Sequence, residues 1–264
     1  MVGGNLAWLA PAALVVFTAA GLRFYLPLSW RVFVRDGGSV GTAWIGRIDA
    51  AVAVVLAVWF VLLGRDALSH GGARAIEFRH ILGGAMTYAS VVIFLLGIIV
   101  YRGAPVARVF GWDALPFGAA LWRAALCLTA AYPLLMLVQV MVYGASGGNV
   151  APQDVVEFLQ SAPSSRDRIA VLAMAVVVAP LAEEMIFRGY LYAVGKKYAG
   201  PFVSAVITSA LFAVLHGHLA SIPALFTLAL CLTLSYERNG SLLVPVIMHA
   251  LFNAVSVTSI LFLM

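Results

Sequence analysis

Glu183 and Glu184 follow fourteen uncharged residues, Ile169 to Ala182, and Arg188 stands four positions beyond the second carboxylate. A carboxylate at mid-bilayer costs about 2.5–3.5 kcal/mol on insertion scales, so ionisable groups in such surroundings face a cavity, a partner or a reaction. Residues four apart share a helix face, and Glu on the N-terminal side of Arg is the favourable order, so Glu184 and Arg188 can pair. Glu183 is turned ~100° away from that face. It is left free to point into a cavity formed with other helices, as a general base would. Pro180 removes a backbone donor and disturbs the turn just before the pair. Two further polar sites follow at equal intervals of 33 residues: His216, then His249 with Asn253. His249 and Asn253 lie on one helical face, with Pro245 one turn earlier. His216 has Phe212 one turn before it, whereas His218 falls on nearly the opposite face, so only one of these two histidines can share a site. Three separate apolar segments thus each offer a proton-handling or hydrogen-bonding group at comparable depth, which is the raw material of a hydrolytic centre.

The elements that must position these groups are membrane helices. The 264 residues are 63% hydrophobic and only 10% charged, and the mean hydropathy is +1.02. These values lie far from those of soluble domains. Crossing a bilayer takes roughly 20 apolar residues, and such stretches, some of them short, read as Leu6–Tyr25, Ile48–Leu63, Ile81–Val100, Ala119–Tyr143, Ile169–Tyr192, Phe202–Leu215, Ile222–Tyr236 and Leu242–Met264. The fold class is therefore all-α, a polytopic transmembrane bundle of about eight spans. The segments are continuously apolar rather than alternating, which favours helices over a barrel. The first apolar run is too long for a signal-peptide core and is expected to be a retained helix.

The organisation is expected to be a four-helix membrane region over residues 1–143, a linker over 144–168 and a catalytic membrane core over 169–264. The linker carries a Gly-rich start at Gly144-Ala145-Ser146-Gly147-Gly148, charges of both signs and two prolines. Val155, Val156, Phe158 and Leu159 interleave with Asp154, Glu157 and Gln160 in a pattern that suits a short interfacial helix or an ordered loop. Ser164 with Asp167 has the form of a capping box, so a helix should start there. The net charge of +5 comes from arginines scattered through loops between spans, which speaks for membrane orientation and against nucleic acid as a partner. Eight Lys and Arg (Arg31, Arg35, Arg47, Arg102, Arg108, Lys196, Lys197 and Arg238) fall on one side, against five (Arg65, Arg74, Arg79, Arg166 and Arg168) on the other. The positive-inside bias then places both termini outside the cytoplasm. Cys127 and Cys231 lie within spans, lack metal-ligand spacing and read as packing residues.

Glu183-Glu184-x-x-x-Arg188, then Phe212-x-x-x-His216, then His249-x-x-x-Asn253 preceded by Gly240-Ser241-Leu242, resembles the three-motif signature of the CAAX protease and bacteriocin-processing family, also called the abortive-infection family. The resemblance covers about Ile169–Met264; the first half of the chain matches nothing in the family pattern beyond being helical. It implies a glutamic-type intramembrane endopeptidase acting on a membrane-embedded or membrane-anchored peptide or protein, with no metal or other cofactor. Carried over by motif position, Glu183 would activate water and His216 would hold and polarise it. His249 and Asn253 would hydrogen-bond the oxyanion, and Glu184 with Arg188 would support the site structurally.

Three other readings assign the function differently. Glu183, His216 and His249 form a possible two-His, one-carboxylate zinc set, although the His-Glu-x-x-His helix is absent. Gly144-Ala145-Ser146-Gly147 has the Gly-x-Ser-Gly form of a rhomboid-type serine protease, but it lies in a polar loop. A scaffold or transporter could also house such a buried polar network.

Overall fold

The computed structural model describes residues 9–69, 78–148 and 164–263, and these form helices joined by loops, with no strand among them. The chain is a multi-pass integral membrane protein. The helices are α1 (Leu9–Trp30), α2 (Arg47–Ser69), α3 (Phe78–Tyr101), the short α4 (Val106–Phe110), α5 (Phe117–Ala145), α6 (Ser165–Ala173), α7 (Ala179–Glu184), α8 (Ala193–Leu215), α9 (Ile222–Asn239) and α10 (Leu243–Leu263). Helices α6, α7 and α8 run on continuously through two π-helical stretches, Met174–Val178 and Met185–Tyr192. Gly200 breaks the run at φ 82° and ψ 165°. Pro201 then opens the returning helix, where its missing N–H costs nothing. Ser204 Oγ donates to Tyr192 O at 2.8 Å across this reversal. The fifth and sixth expected spans are thus two antiparallel arms, in keeping with a bundle of about eight helical segments.

Several helices outrun their apolar cores. α1 continues through Trp30 and the π-helical Arg31–Arg35, and α2 continues to Ser69. Arg and Asp side chains at a membrane boundary carry their charged ends to water while the backbone stays helical, so the last apolar residue underestimates the helix end. The helix expected to begin at Ser164 does so: Ser164 is extended at φ −143° and ψ 157°, and its Oγ accepts from Asp167 N at 3.2 Å. The possible interfacial helix over Asp154–Gln160 lies outside the described residues.

Helix α9 is the centre of the bundle. On one side α1, α5 and α10 share an apolar cluster that includes Tyr25, Leu28, Leu228, Leu232 and Met248. Ala120, Ala124 and Ala131 of α5 are fully buried there, and small side chains are what allow lipid-embedded helices to approach closely. On the other side α2, α3, α4, α8 and the Met185–Tyr192 stretch pack around Phe60, Leu95, Ile99, Phe110, Phe187 and Phe212. Val15, Phe17, Val54, Val55, Ile93 and Phe94 are exposed and form the surface that meets lipid.

Buried charges at the Arg- and Lys-rich end fix the loop between α1 and α2. Glu237 accepts from Tyr192 Oη at 2.7 Å, Lys196 Nζ at 2.5 Å and Val40 N at 2.8 Å. Asp49 accepts from Gly46 N at 2.6 Å and Tyr190 Oη at 3.2 Å, and it is ion-paired with Arg102. These bonds tie the loop to the far end of the helix that carries Glu183. Below them Gly189 gives α4 its seat, since a Cβ there would lie 2.5 Å from Phe110 Cε1. Overpacking of this kind costs about 1–3 kcal/mol. Gly189→Ala is therefore expected to lower the unfolding midpoint in detergent, and an unchanged midpoint would show that Phe110 moves aside freely.

Candidate active site

Glu183 ends up where an isolated helix would leave it exposed. It is the penultimate residue of α7, between the two π-helical stretches, and one extra residue per turn on either side widens the helix at that point. Such bulges are frequent at functional sites. The carboxylate is buried and receives two neighbours from other helices. Tyr88 of α3 donates a short hydrogen bond to Glu183 Oε1, and His249 Nε2 of α10 lies 3.8 Å from Glu183 Oε2.

Glu184 takes up the expected pairing. Arg188 Nη1 donates to Glu184 Oε1 at 2.8 Å, and Arg188 Nη2 reaches Ala229 O on α9 at 3.2 Å. His249 Nδ1 lies 2.9 Å from the same Glu184 oxygen. A carboxylate accepts, so Nδ1 carries the hydrogen in this contact, and the opposite nitrogen is the one presented to Glu183. The two carboxylates thus share one imidazole.

Phe212 organises the remaining groups. Its ring lies 4.8 Å from that of His216 and 5.7 Å, edge-on, from that of His249. The Arg188 guanidinium sits 4.6 Å over its face, a favourable arrangement for a desolvated cation. His216 follows the last residue of α8, and its Nδ1 donates to Phe212 O at 2.8 Å. Its Nε2 is therefore the acceptor nitrogen of the neutral ring. His218 is bonded through Nδ1 to Ser221 Oγ at 2.7 Å and takes no part in the cleft, as the spacing required.

A cleft of about 470 Å³ opens onto this group. Its floor holds Glu183, Phe212 and His216; its walls are Trp59, Phe60 and Leu63 of α2 and Gly84, Thr87, Tyr88 and Val91 of α3. Helix α2 packs along α8, and α3 packs along α7 and the stretch after it. The cleft lies between them.

Of the six residues singled out in the sequence, five form one connected group: Glu183, Glu184, Arg188, His216 and His249. Asn253 makes a different bond, its Nδ2 donating to Ala175 O at 2.7 Å. In the i to i+5 pattern of the Met174–Val178 stretch, that carbonyl would pair with the N–H of residue 180, which is proline. Asn253 thus satisfies an acceptor that Pro180 cannot. Tyr88 is the residue that sequence reasoning missed. A lone tyrosine in an apolar span carries no spacing signal that would have marked it. Ser146 caps the end of α5, with its Oγ donating to Tyr143 O at 2.9 Å, and it is not among the residues lining the cleft. Among the described residues no three His, Cys, Asp or Glu side chains come together as a metal-binding group.

Residues 165–255 match the family model described as type II CAAX prenyl endopeptidase Rce1-like. This segment is similar to the CAAX protease family. The family match supports a protease, and it spans every motif residue from Glu183 to Asn253. No curated protein and no solved structure matches the chain. The matched segment contains α6 to α9 and most of α10, while Tyr88 and the α2 and α3 walls of the cleft come from outside it.

Proposed function

We propose that this protein is a glutamic-type intramembrane endopeptidase that hydrolyses a peptide bond of a membrane-embedded or membrane-anchored protein or peptide. The observation that carries this reading is that Glu183 and His216, from separate helices, line one cleft within the bundle. Glu183 accepts a proton from water as the hydroxide adds to the scissile carbonyl carbon. His216 Nε2 orients that water. As the tetrahedral intermediate collapses, Glu183 returns the proton to the leaving amine, so no covalent enzyme intermediate is required. His249 Nε2, 3.8 Å from Glu183 Oε2, is assigned to the developing oxyanion, to which it donates when both ring nitrogens carry hydrogen. Asn253 is assigned to holding Ala175 O and, through it, the bend at Pro180. Glu184 and Arg188 fix the rotation of the helix that aims Glu183.

Membrane fractions from cells carrying either wild-type protein or Glu183→Gln should differ by one or more precursors that accumulate uncut. Identical fractions, together with retained biological activity, would favour a scaffold or transporter. Activity is expected to survive a strong chelator and Ser146→Ala; loss in the first case would restore the zinc reading, and loss in the second the serine reading.

Tyr88 is assigned as a positioning residue. Tyr88→Phe removes one hydrogen bond to a charged acceptor, worth about 1.5–3 kcal/mol, and should lower kcat roughly 10- to 100-fold with KM nearly unchanged. A change confined to KM would instead make Tyr88 a substrate contact.

A further inference from the structure

A second polar cleft lies at the Arg- and Lys-rich end of the bundle, where the C-terminal turn of α9, the outer part of α1 and the N-terminal turns of α5 meet. Its volume is about 380 Å³, and it is lined by Phe24, Trp122, Arg123, Arg238 and Asn239, with Leu126 and Cys127 beneath. Two cations open onto one cleft. Among the described residues neither is held by a carboxylate: Arg123 Nη1 donates to Asn239 Oδ1 at 3.2 Å, and the Arg238 guanidinium stacks 4.5 Å over the Phe24 ring. The acids at this end with ion pairs have other partners, Asp36 with Arg31 and Arg35, Asp49 with Arg102, and Glu237 with Lys196.

The arrangement is organised in advance. Asn239 Nδ2 donates to Ser235 O at 2.7 Å, so the side chain that receives Arg123 is itself fixed to α9. Stacking on Phe24 orients the Arg238 plane and leaves its in-plane N–H groups free to donate, in the fork geometry that matches phosphate oxygens. Trp122 is 65% exposed beside them, as the interfacial aromatic belt requires. Gly240 ends α9 in the left-handed region at φ 63°, which sets this cleft at a helix terminus rather than mid-span. Basic pockets between transmembrane helices at a membrane boundary are suited to acidic lipid headgroups.

We infer that Arg123 and Arg238 form a binding site for the phosphate of an anionic phospholipid, with Trp122 and Phe24 against the glycerol and upper acyl region. The site is separate from the Glu183 cleft and does not depend on its activity. The test uses the purified full chain in nanodiscs of phosphatidylcholine, with increasing phosphatidylglycerol, and reads retained lipid by native mass spectrometry. Loss of both charges in Arg123→Gln/Arg238→Gln should weaken phosphatidylglycerol retention roughly 30-fold, and each single substitution about fivefold. Arg31→Gln, on the same face but paired with Asp36, should leave retention unchanged. Wild-type retention in the double variant overturns the proposal, as does an equal loss in Arg31→Gln, which would indicate diffuse attraction. Inorganic phosphate alone should fail to displace the lipid; displacement would assign the cleft to free phosphate instead. Should the double variant fold poorly, Arg123→Lys/Arg238→Lys keeps both charges and should retain lipid more strongly than either glutamine single variant. A lysine pair weaker than those variants would overturn the role of charge.

Discussion

Glu183→Gln is expected to abolish measurable proteolysis while leaving folding and membrane insertion intact. General-base catalysis contributes about 10²–10⁴-fold, and a carboxamide of nearly the same shape cannot accept the proton from water. The substitution should be structurally mild because the introduced carboxamide retains a carbonyl oxygen for the Tyr88 hydroxyl, which now meets Glu183 Oε1. Helical content and the unfolding midpoint should therefore match the wild type while kcat falls. Peptide hydrolysis measured in proteoliposomes, alongside circular dichroism of the same sample, separates the two effects. Activity within a few-fold of wild type would remove Glu183 as the base and with it the glutamic mechanism. The contrast with Tyr88→Phe is informative, since that variant keeps the base and loses only its orientation.

Much of this arrangement was legible in the sequence because helical geometry is so restrictive. The four-residue interval between Glu184 and Arg188 allowed one pairing, and the structure has it at 2.8 Å. The two-residue interval between His216 and His218 allowed only one of them into the cleft. Ser164 marked a helix start because its cap is a local interaction. What stayed hidden was interhelical. Tyr88 lies 95 residues from Glu183 in the chain, and nothing along α3 distinguishes it from other interfacial aromatics. Asn253 was read with His249 because they share a face. A π-helical stretch, however, gave Asn253 a backbone carbonyl that an unbroken α-helix would have satisfied for itself. Periodicity at 3.6 residues cannot reveal such a widening, and the widening is also what places Glu183 between α3 and α10. The shared His249 likewise depends on how α7 and α10 cross, which a list of spans does not contain.

Arg188→Met should be the most destabilising single change near the site. Arg188 and Glu184 are both almost completely buried, at 1% and 0% exposure. Removing one partner of a buried ion pair leaves a desolvated charge without compensation, at a cost of about 3–5 kcal/mol. Arg188 also bonds Ala229 O and covers the Phe212 ring, so its loss frees a carbonyl on α9 and a face of the aromatic that spaces His216 from His249. The carboxylate left behind still has His249 Nδ1, and pulling that imidazole more firmly onto Glu184 draws Nε2 away from Glu183. Stability and activity should therefore fall together. Glu184→Gln/Arg188→Met takes away the orphaned charge along with the cation, and should recover most of the stability without the activity. Denaturant unfolding in detergent across the double-mutant cycle checks this directly. A single variant as stable as wild type would show that Glu184 and Arg188 do not face each other as buried charges, and the aiming of Glu183 would then need another cause.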